Sequence, residues 1–85
     1  MSTYQRVFIT GGASGIGRLA TQRFKARGSH VIAVDVNTAG LQSLAKENPG
    51  IEVLELDITD HLAVNRCLED IEKTHGEIDM VINCA

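Results

Sequence analysis

Three glycines near the start of the chain could form a binding site for phosphate. Gly11, Gly15 and Gly17 lie between the apolar run 7–9 and a segment with helical periodicity. Backbone N–H groups at the start of a helix attract anions, and glycines lack the Cβ atoms that would hold a phosphate at a distance. The spacing therefore predicts a phosphate-binding turn between a strand and a helix. A glycine-rich turn without a ligand is the alternative.

An acidic residue stands twenty residues beyond the second of these glycines. Asp35 follows the apolar run 31–34, which predicts a second buried strand. A carboxylate at the carboxyl end of that strand can accept hydrogen bonds from both hydroxyls of an adenosine ribose, and it would repel a 2′-phosphate. Asp35 therefore predicts binding of NAD rather than NADP, with an ordinary strand-end carboxylate as the alternative.

The glycine turn resembles the fingerprint of classical short-chain dehydrogenases/reductases. Residues 10–17 follow Thr-Gly-x-x-x-Gly-x-Gly, and residues 15–20 also meet the general Rossmann spacing G-x-G-x-x-[GA]. The resemblance implies a cofactor-binding turn that includes Ser14 and Ile16. Ser14 and Val36 are uncharged at positions where NADP-preferring relatives often carry Arg or Lys. A sugar-nucleotide epimerase would need glycine at position 14.

Two later segments match the same family. Asp57 and Ile58 resemble the pair after the third strand that contacts adenine, although Asp57 could instead cap the next helix. Asn83-Cys84-Ala85 resembles the start of the family's Asn-Asn-Ala-Gly segment, which lines the ribose; a strand-end Asn without a ligand is the alternative. The predicted cofactor-binding residues are Gly11, Ser14, Gly15, Ile16, Gly17, Asp35, Asp57, Ile58, Asn83 and Ala85.

Apolar patterning predicts four strands and three helices in alternation. The apolar runs 7–9, 31–34, 51–56 and 80–82 predict the strands, and the two charges in the third run place that strand at an edge. Strand–helix alternation is typical of a parallel sheet in an α/β fold. We expect a Rossmann-type, doubly wound sheet with strand order 3-2-1-4, forming an incomplete dinucleotide-binding domain over residues 1–85.

The predicted helices each have an apolar stripe and a start signal. The first spans about residues 14–27, and its stripe consists of Ile16, Leu19, Ala20 and Phe24. Asn37 is the expected N-cap of the second helix, and Thr59 the expected N-cap of the third.

Composition narrows the class of protein. The chain has 85 residues, 44% hydrophobic and 22% charged, with a net charge of −3 and no basic cluster, which argues against nucleic-acid binding. No apolar run approaches the roughly 20 residues that span a bilayer. Two isolated cysteines and an N-terminus without a signal-peptide pattern predict a cytoplasmic protein with reduced, buried thiols. We also expect a homo-oligomer.

Other candidate groups carry no predicted chemistry. The three histidines, at positions 30, 61 and 75, have no partner at a metal-ligand spacing, so no metal site is predicted. Arg18 is expected to be solvated or to face the phosphates.

The resemblance also implies a catalytic Ser and a Tyr-x-x-x-Lys pair, which are absent from these residues; the single tyrosine is Tyr4. No catalytic residue is therefore assigned. We expect the NAD-binding portion of a longer dehydrogenase that exchanges hydride with an alcohol or ketone substrate. A non-catalytic dinucleotide-binding module, or a fragment that binds nothing, remains the alternative.

Overall fold

Strands and helices alternate along the chain, as the apolar pattern predicts. A computed structural model describes residues 6–84. The strands are β1 (Arg6–Thr10), β2 (His30–Asp35), β3 (Glu52–Glu55) and β4 (Met80–Asn83). The helices are α1 (Gly15–Ala26), α2 (Thr38–Glu47) and α3 (His61–His75).

The four strands form one parallel sheet in the order β3-β2-β1-β4. This confirms the predicted α/β fold, the strand order and the edge position of β3. In the register, Thr10 lies beside Val34 on one side and Asn83 on the other, and Asp35 lies beside Glu55. The carboxyl ends of all four strands therefore meet at one edge of the sheet, where α/β folds bind ligands.

Helices cover both faces of the sheet because the side chains of each strand alternate. In β2, Ile32 and Val34 pack in one cluster with Ile71 of α3. Their neighbour Ala33 packs with residues of α2 on the other face. Also on that face, Val31 lies in a cluster with α1; the side chains that pack there are Val7, Ile9, Ala20, Phe24, Met80 and Ile82.

The buried face of α1 differs from the predicted stripe. Ile16 is 80% exposed and Leu19 is 50% exposed, whereas Gly17 and Thr21 are buried. The cause is the close approach of Gly17 to the preceding turn, where an added Cβ would lie 2.0 Å from the carbonyl oxygen of Gly11. The small residues therefore face the sheet, and the first large apolar residues of the stripe face outward.

The helix starts confirm one predicted cap and correct another. Asn37 caps α2, since its side chain accepts a hydrogen bond from the Gly40 N–H at 3.0 Å. The N-cap of α3 is Asp60, which accepts from the Ala63 N–H at 3.1 Å. The prediction of Thr59 as this cap was wrong by one residue, because the Thr59 hydroxyl donates to Asp57 instead. Within residues 6–84, no helix combines the length and apolar character needed to span a bilayer.

Candidate nucleotide-binding site

The glycine-rich turn joins β1 to α1 and is held against β2. Gly11 and Gly15 have φ values of 65° and 58°, in the left-handed region that favours glycine. Gly12 donates its N–H to the Val34 carbonyl at 3.1 Å, and a Cβ on Gly12 would lie 2.8 Å from the Ala33 Cβ. The turn can therefore lie this close to β2 only with glycine at position 12, a requirement that the sequence analysis did not identify.

The start of α1 is suited to an anion. Ser14, its N-cap, is exposed and makes no side-chain cap hydrogen bond, and the first turn contains no acidic residue. The first bond of the helix runs from the Arg18 N–H to the Ser14 carbonyl, so the N–H groups of residues 15–17 precede the helical ladder. A Cβ on Gly15 would meet no atom within 4 Å. Gly15 and Ile16 thus border open space beside N–H groups that precede the helical ladder, which fits a pyrophosphate, while the buried Gly17 lets the turn lie close to the helix start.

Asp35 is held at the end of β2 by two backbone groups. Its Oδ2 accepts from the Ala13 N–H in the glycine turn, and its Oδ1 accepts from the Asn37 N–H, both at 3.1 Å. Each carboxylate oxygen has two lone pairs and keeps acceptor capacity beyond its one bond. These two bonds orient Asp35 next to the glycine turn, and each of its carboxylate oxygens can still accept a hydrogen bond from a hydroxyl.

A cleft of about 270 Å³ brings together residues from three strand ends. Its lining residues are Gly11, Asp35, Val36, Leu56, Asp57 and Ile58. Four of these six were predicted to bind cofactor, and Val36 was singled out as an uncharged neighbour of Asp35. Leu56, which the sequence analysis did not assign to the site, is buried and forms part of the apolar wall.

Asp57 is exposed and makes a local turn with Thr59. Its Oδ1 accepts from the Thr59 N–H at 2.9 Å and from the Thr59 hydroxyl at 2.7 Å. These two hydrogen bonds lower the pKa of Asp57 below its ordinary value, so the carboxylate stays charged. Because Asp60 caps α3, the alternative in which Asp57 caps that helix is not the arrangement found.

Asn83 is tied to β1 through a threonine that sequence analysis gave no role. The Thr10 hydroxyl donates to Asn83 Oδ1 at 2.7 Å and accepts from the Cys84 N–H at 3.2 Å. The position of Thr10 directly before Gly11 was the feature of the sequence that could have indicated this role. The contacts fix the end of β4 beside the glycine turn, and a Cβ on Gly17 would lie 3.2 Å from the Cys84 Cβ. Ala85, also predicted to bind cofactor, lies outside the described residues.

Arg18 makes its contacts with groups of the protein, whereas the sequence predicted a solvated or phosphate-facing side chain. Its guanidinium donates to the carbonyls of Ala13 and Gly40, both at 3.3 Å, and pairs with Glu47 near the end of α2. Arg18 therefore links α1 to α2. Because Arg18 and Glu47 lie on different helices, no motif within one helix could have predicted their contact.

Two of the three histidines also differ from the prediction that they stand apart. His30 and His75 have ring centroids 4.7 Å apart, and both lie near Glu52. Cys67 and Cys84 are free, as expected, but only partly buried. Burial raises the pKa of the Cys67 thiol, with Asp70 adding to the effect.

Comparisons with known proteins agree with the fold and the turn. The family model described as short chain dehydrogenase matches residues 5–85. The chain is 38% identical to 2-keto-3-deoxy-L-fuconate dehydrogenase of Xanthomonas campestris over 95% of its length, which is 26% of that protein. It is 40% identical to human L-xylulose reductase over 95% of its length, which is 32% of that protein.

Among solved structures, a short chain dehydrogenase from Bacillus anthracis superimposes with a TM-score of 0.89 at 30% identity, covering 95% of this chain and 34% of that one. The chain thus spans about a quarter to a third of the length of these relatives. Members of this family bind a nicotinamide dinucleotide, and the matched residues contain the glycine turn described above. By its family match and its fold, the chain belongs to the short-chain dehydrogenases.

Proposed function

We propose that this chain binds NAD and forms the nucleotide-binding part of a dehydrogenase acting on an alcohol or ketone. The observation that carries the proposal is the position of Asp35 on the 270 Å³ cleft, directly beside the uncapped start of α1. The cofactor, when bound, would accept or donate the hydride. The residues described here would hold and orient it.

In the proposed binding mode, each part of the dinucleotide contacts a different segment at the carboxyl ends of the strands. The pyrophosphate would lie against the first turn of α1, near Gly15 and Ile16. The adenosine ribose would donate hydrogen bonds to Asp35, and the adenine would lie in the cleft between Val36 and Ile58. The second ribose would follow the end of β4 at Asn83 and, in the same proposal, Ala85.

The preference for NAD rests on charge. A 2′-phosphate bound at this ribose would lie next to the Asp35 carboxylate, and like charges at that distance repel. Exposed Val36 and Ser14 offer no cation to compensate. The basic side chain of Arg18, in the first turn of α1, is engaged by Glu47 and two carbonyl oxygens. A cation at position 36 would therefore be needed for NADP to bind well.

The experiment exchanges the charges at these two positions. We expect the protein to bind NAD at least about tenfold more tightly than NADP, as measured by calorimetry. Asp35→Ala combined with Val36→Arg should shift the ratio of the two dissociation constants toward NADP by at least about tenfold, or about 1.4 kcal/mol. The ratio is the readout because the loss of the Ala13 and Asn37 hydrogen bonds would weaken both complexes.

Glu55→Gln is the matched control. Glu55 lies beside Asp35 in the register of β2 and β3, so this change removes one negative charge from a neighbouring position, as Asp35→Ala does. The ratio should remain within about twofold in this variant. A double variant whose ratio also stays within twofold would show that Asp35 does not contact the ribose.

We also propose a cytoplasmic location and self-association. The two free thiols are typical of a reducing compartment, in which disulfides do not persist. For a polypeptide of these 85 residues, the uncharged outer strand β4 supports self-association, for which a test is given below.

A further inference from the structure

His30, Glu52 and His75 form a compact cluster at the amino-terminal ends of β2 and β3. Glu52 Oε1 lies 3.2 Å from Nε2 of His75 and 3.8 Å from Nε2 of His30. One ligand atom from each of the three side chains lies within 4.8 Å of the others. All three side chains are partly buried and retain some contact with solvent.

The fold places these residues together at the opposite end of the sheet from the nucleotide site. His30 is the first residue of β2 and Glu52 the first of β3, and parallel strands bring those ends side by side. His75 is the last residue of α3, which crosses the sheet and ends above them. A ligand bound here would connect two strands and a helix and would not touch the dinucleotide.

We propose that His30, Glu52 and His75 bind a divalent transition-metal ion, for which Zn²⁺ is the best match. Two imidazoles and one carboxylate are a common zinc donor set. In a tetrahedral site with bonds of about 2.0–2.1 Å, the ligand atoms lie about 3.3 Å from one another. The distances of 3.2 Å and 3.8 Å to Glu52 are close to that geometry, whereas the ligand atoms as a set lie within 4.8 Å of one another, so the two imidazoles have to move closer together on binding. Solvent can supply the fourth ligand.

Arg6 modulates this site through His30. The Arg6 Nε–H donates to Nδ1 of His30 at 3.0 Å, so without a metal the neutral ring carries its proton on Nε2. Coordination through Nε2 needs the proton on Nδ1, and the Arg6 bond must then be released.

The release of the Arg6 bond sets a limit on affinity. Metal-binding histidines normally donate their second N–H to an acceptor, and Arg6 offers a donor in that position. The site is therefore expected to bind Zn²⁺ reversibly. Arg6→Gln places an amide oxygen where it can accept from Nδ1–H, and this variant should bind Zn²⁺ more tightly than the wild type.

The test titrates the purified protein with Zn²⁺ by calorimetry and with Co²⁺ by visible absorption, because Co²⁺ reports four-coordinate geometry. We expect one ion per chain and the intense absorption of tetrahedral Co²⁺. Glu52→Gln and His75→Gln should each weaken Zn²⁺ binding at least about tenfold. His61→Ala, on the exposed first residue of the same helix, is the control and should leave the affinity unchanged.

Thermal unfolding separates loss of the site from loss of the fold. Saturating Zn²⁺ should raise the wild-type Tm by about 5 °C or more, since the ion binds only the folded chain. Glu52→Gln and His75→Gln should show the same thermal transition as the metal-free wild type and no such rise. The proposal would be overturned if the wild type did not bind Zn²⁺, or if it bound Zn²⁺ with the same affinity as Glu52→Gln and His75→Gln. A Zn²⁺ affinity that falls in Arg6→Gln as far as in His75→Gln would also overturn it.

Discussion

Gly17 is the residue of the turn that tolerates a side chain least. An added Cβ would lie 2.0 Å from the carbonyl oxygen and 2.8 Å from the carbonyl carbon of Gly11, and these are backbone atoms that no rotamer change can move. Its own φ lies outside the left-handed region. The restriction is therefore one of space: α1 approaches the end of β1 so closely that the glycine turn is pressed against the first turn of the helix.

Gly17→Ala should weaken NAD binding at least about tenfold, because the turn has to move away from the helix start to accommodate the methyl group. Calorimetry with NAD gives the affinity, and thermal unfolding reports the fold. Gly28→Ala is the control: Gly28 follows α1 with a φ of 88° and open space around it, so this change should cost about 1 kcal/mol of stability and leave NAD affinity unchanged. Equal NAD affinity in Gly17→Ala and wild type would argue against the proposed pyrophosphate position.

The predicted site residues that the structure brings together are those whose signal in the sequence is local. The three spaced glycines border the helix start, and Asp35 at the end of an apolar run lies on the cleft with Asp57. Contacts made between distant segments left no such signal. Thr10 holds Asn83 across 73 positions of sequence, and His30 meets His75 only because β2 and α3 end at the same place.

For the helices too, the sequence pattern predicted the elements but not all of their packing. Their number, order and approximate bounds followed from apolar periodicity and end signals, and α1 begins and ends within one residue of prediction. Periodicity identified the buried face of α1 only in part: Ala20 and Phe24 pack on the sheet as predicted, but the closest contact is made by Gly17, which has no side chain to count as apolar. Sequence scanning for large apolar residues therefore selected Ile16 and Leu19, which are exposed.

The start of α3 offers a direct test of which residue caps it. Asp60→Ala should lower the free energy of unfolding by about 1 kcal/mol, because the Ala63 N–H loses its side-chain acceptor. Thr59→Ala should have a smaller effect on stability, since the Thr59 hydroxyl binds Asp57 and not the helix. Urea unfolding of the two variants gives the comparison. A larger loss in Thr59→Ala than in Asp60→Ala would restore Thr59 as the cap.

Within residues 6–84, the two outer strands of the sheet differ in their protection against pairing with another chain. The outer strand β3 contains two glutamates, which hinder pairing with another chain. The other outer strand, β4, is Met-Val-Ile-Asn without a charge, and Val81 is 56% exposed. Ile16 and Leu19 add further exposed apolar surface on α1. An uncharged edge strand of this kind pairs readily with another strand, so β4 is where a polypeptide of these 85 residues is expected to associate.

We expect this polypeptide to self-associate at micromolar concentration through the β4 edge, or else to fold only in part. Val81→Lys should shift it toward monomer in sedimentation velocity experiments, because a charged side chain on an edge strand opposes pairing. Leu62→Lys is the matched control, since Leu62 is 62% exposed at the start of α3, on the β3 side of the sheet, and the same charge is introduced. It should leave the association unchanged.

Circular dichroism distinguishes self-association of the folded chain from partial folding. In a partly folded chain, Val81→Lys would change neither the association nor the broad thermal transition. A wild-type monomer with a cooperative transition would contradict both outcomes, and an equal effect of Leu62→Lys would show that net charge, and not the β4 edge, controls the association.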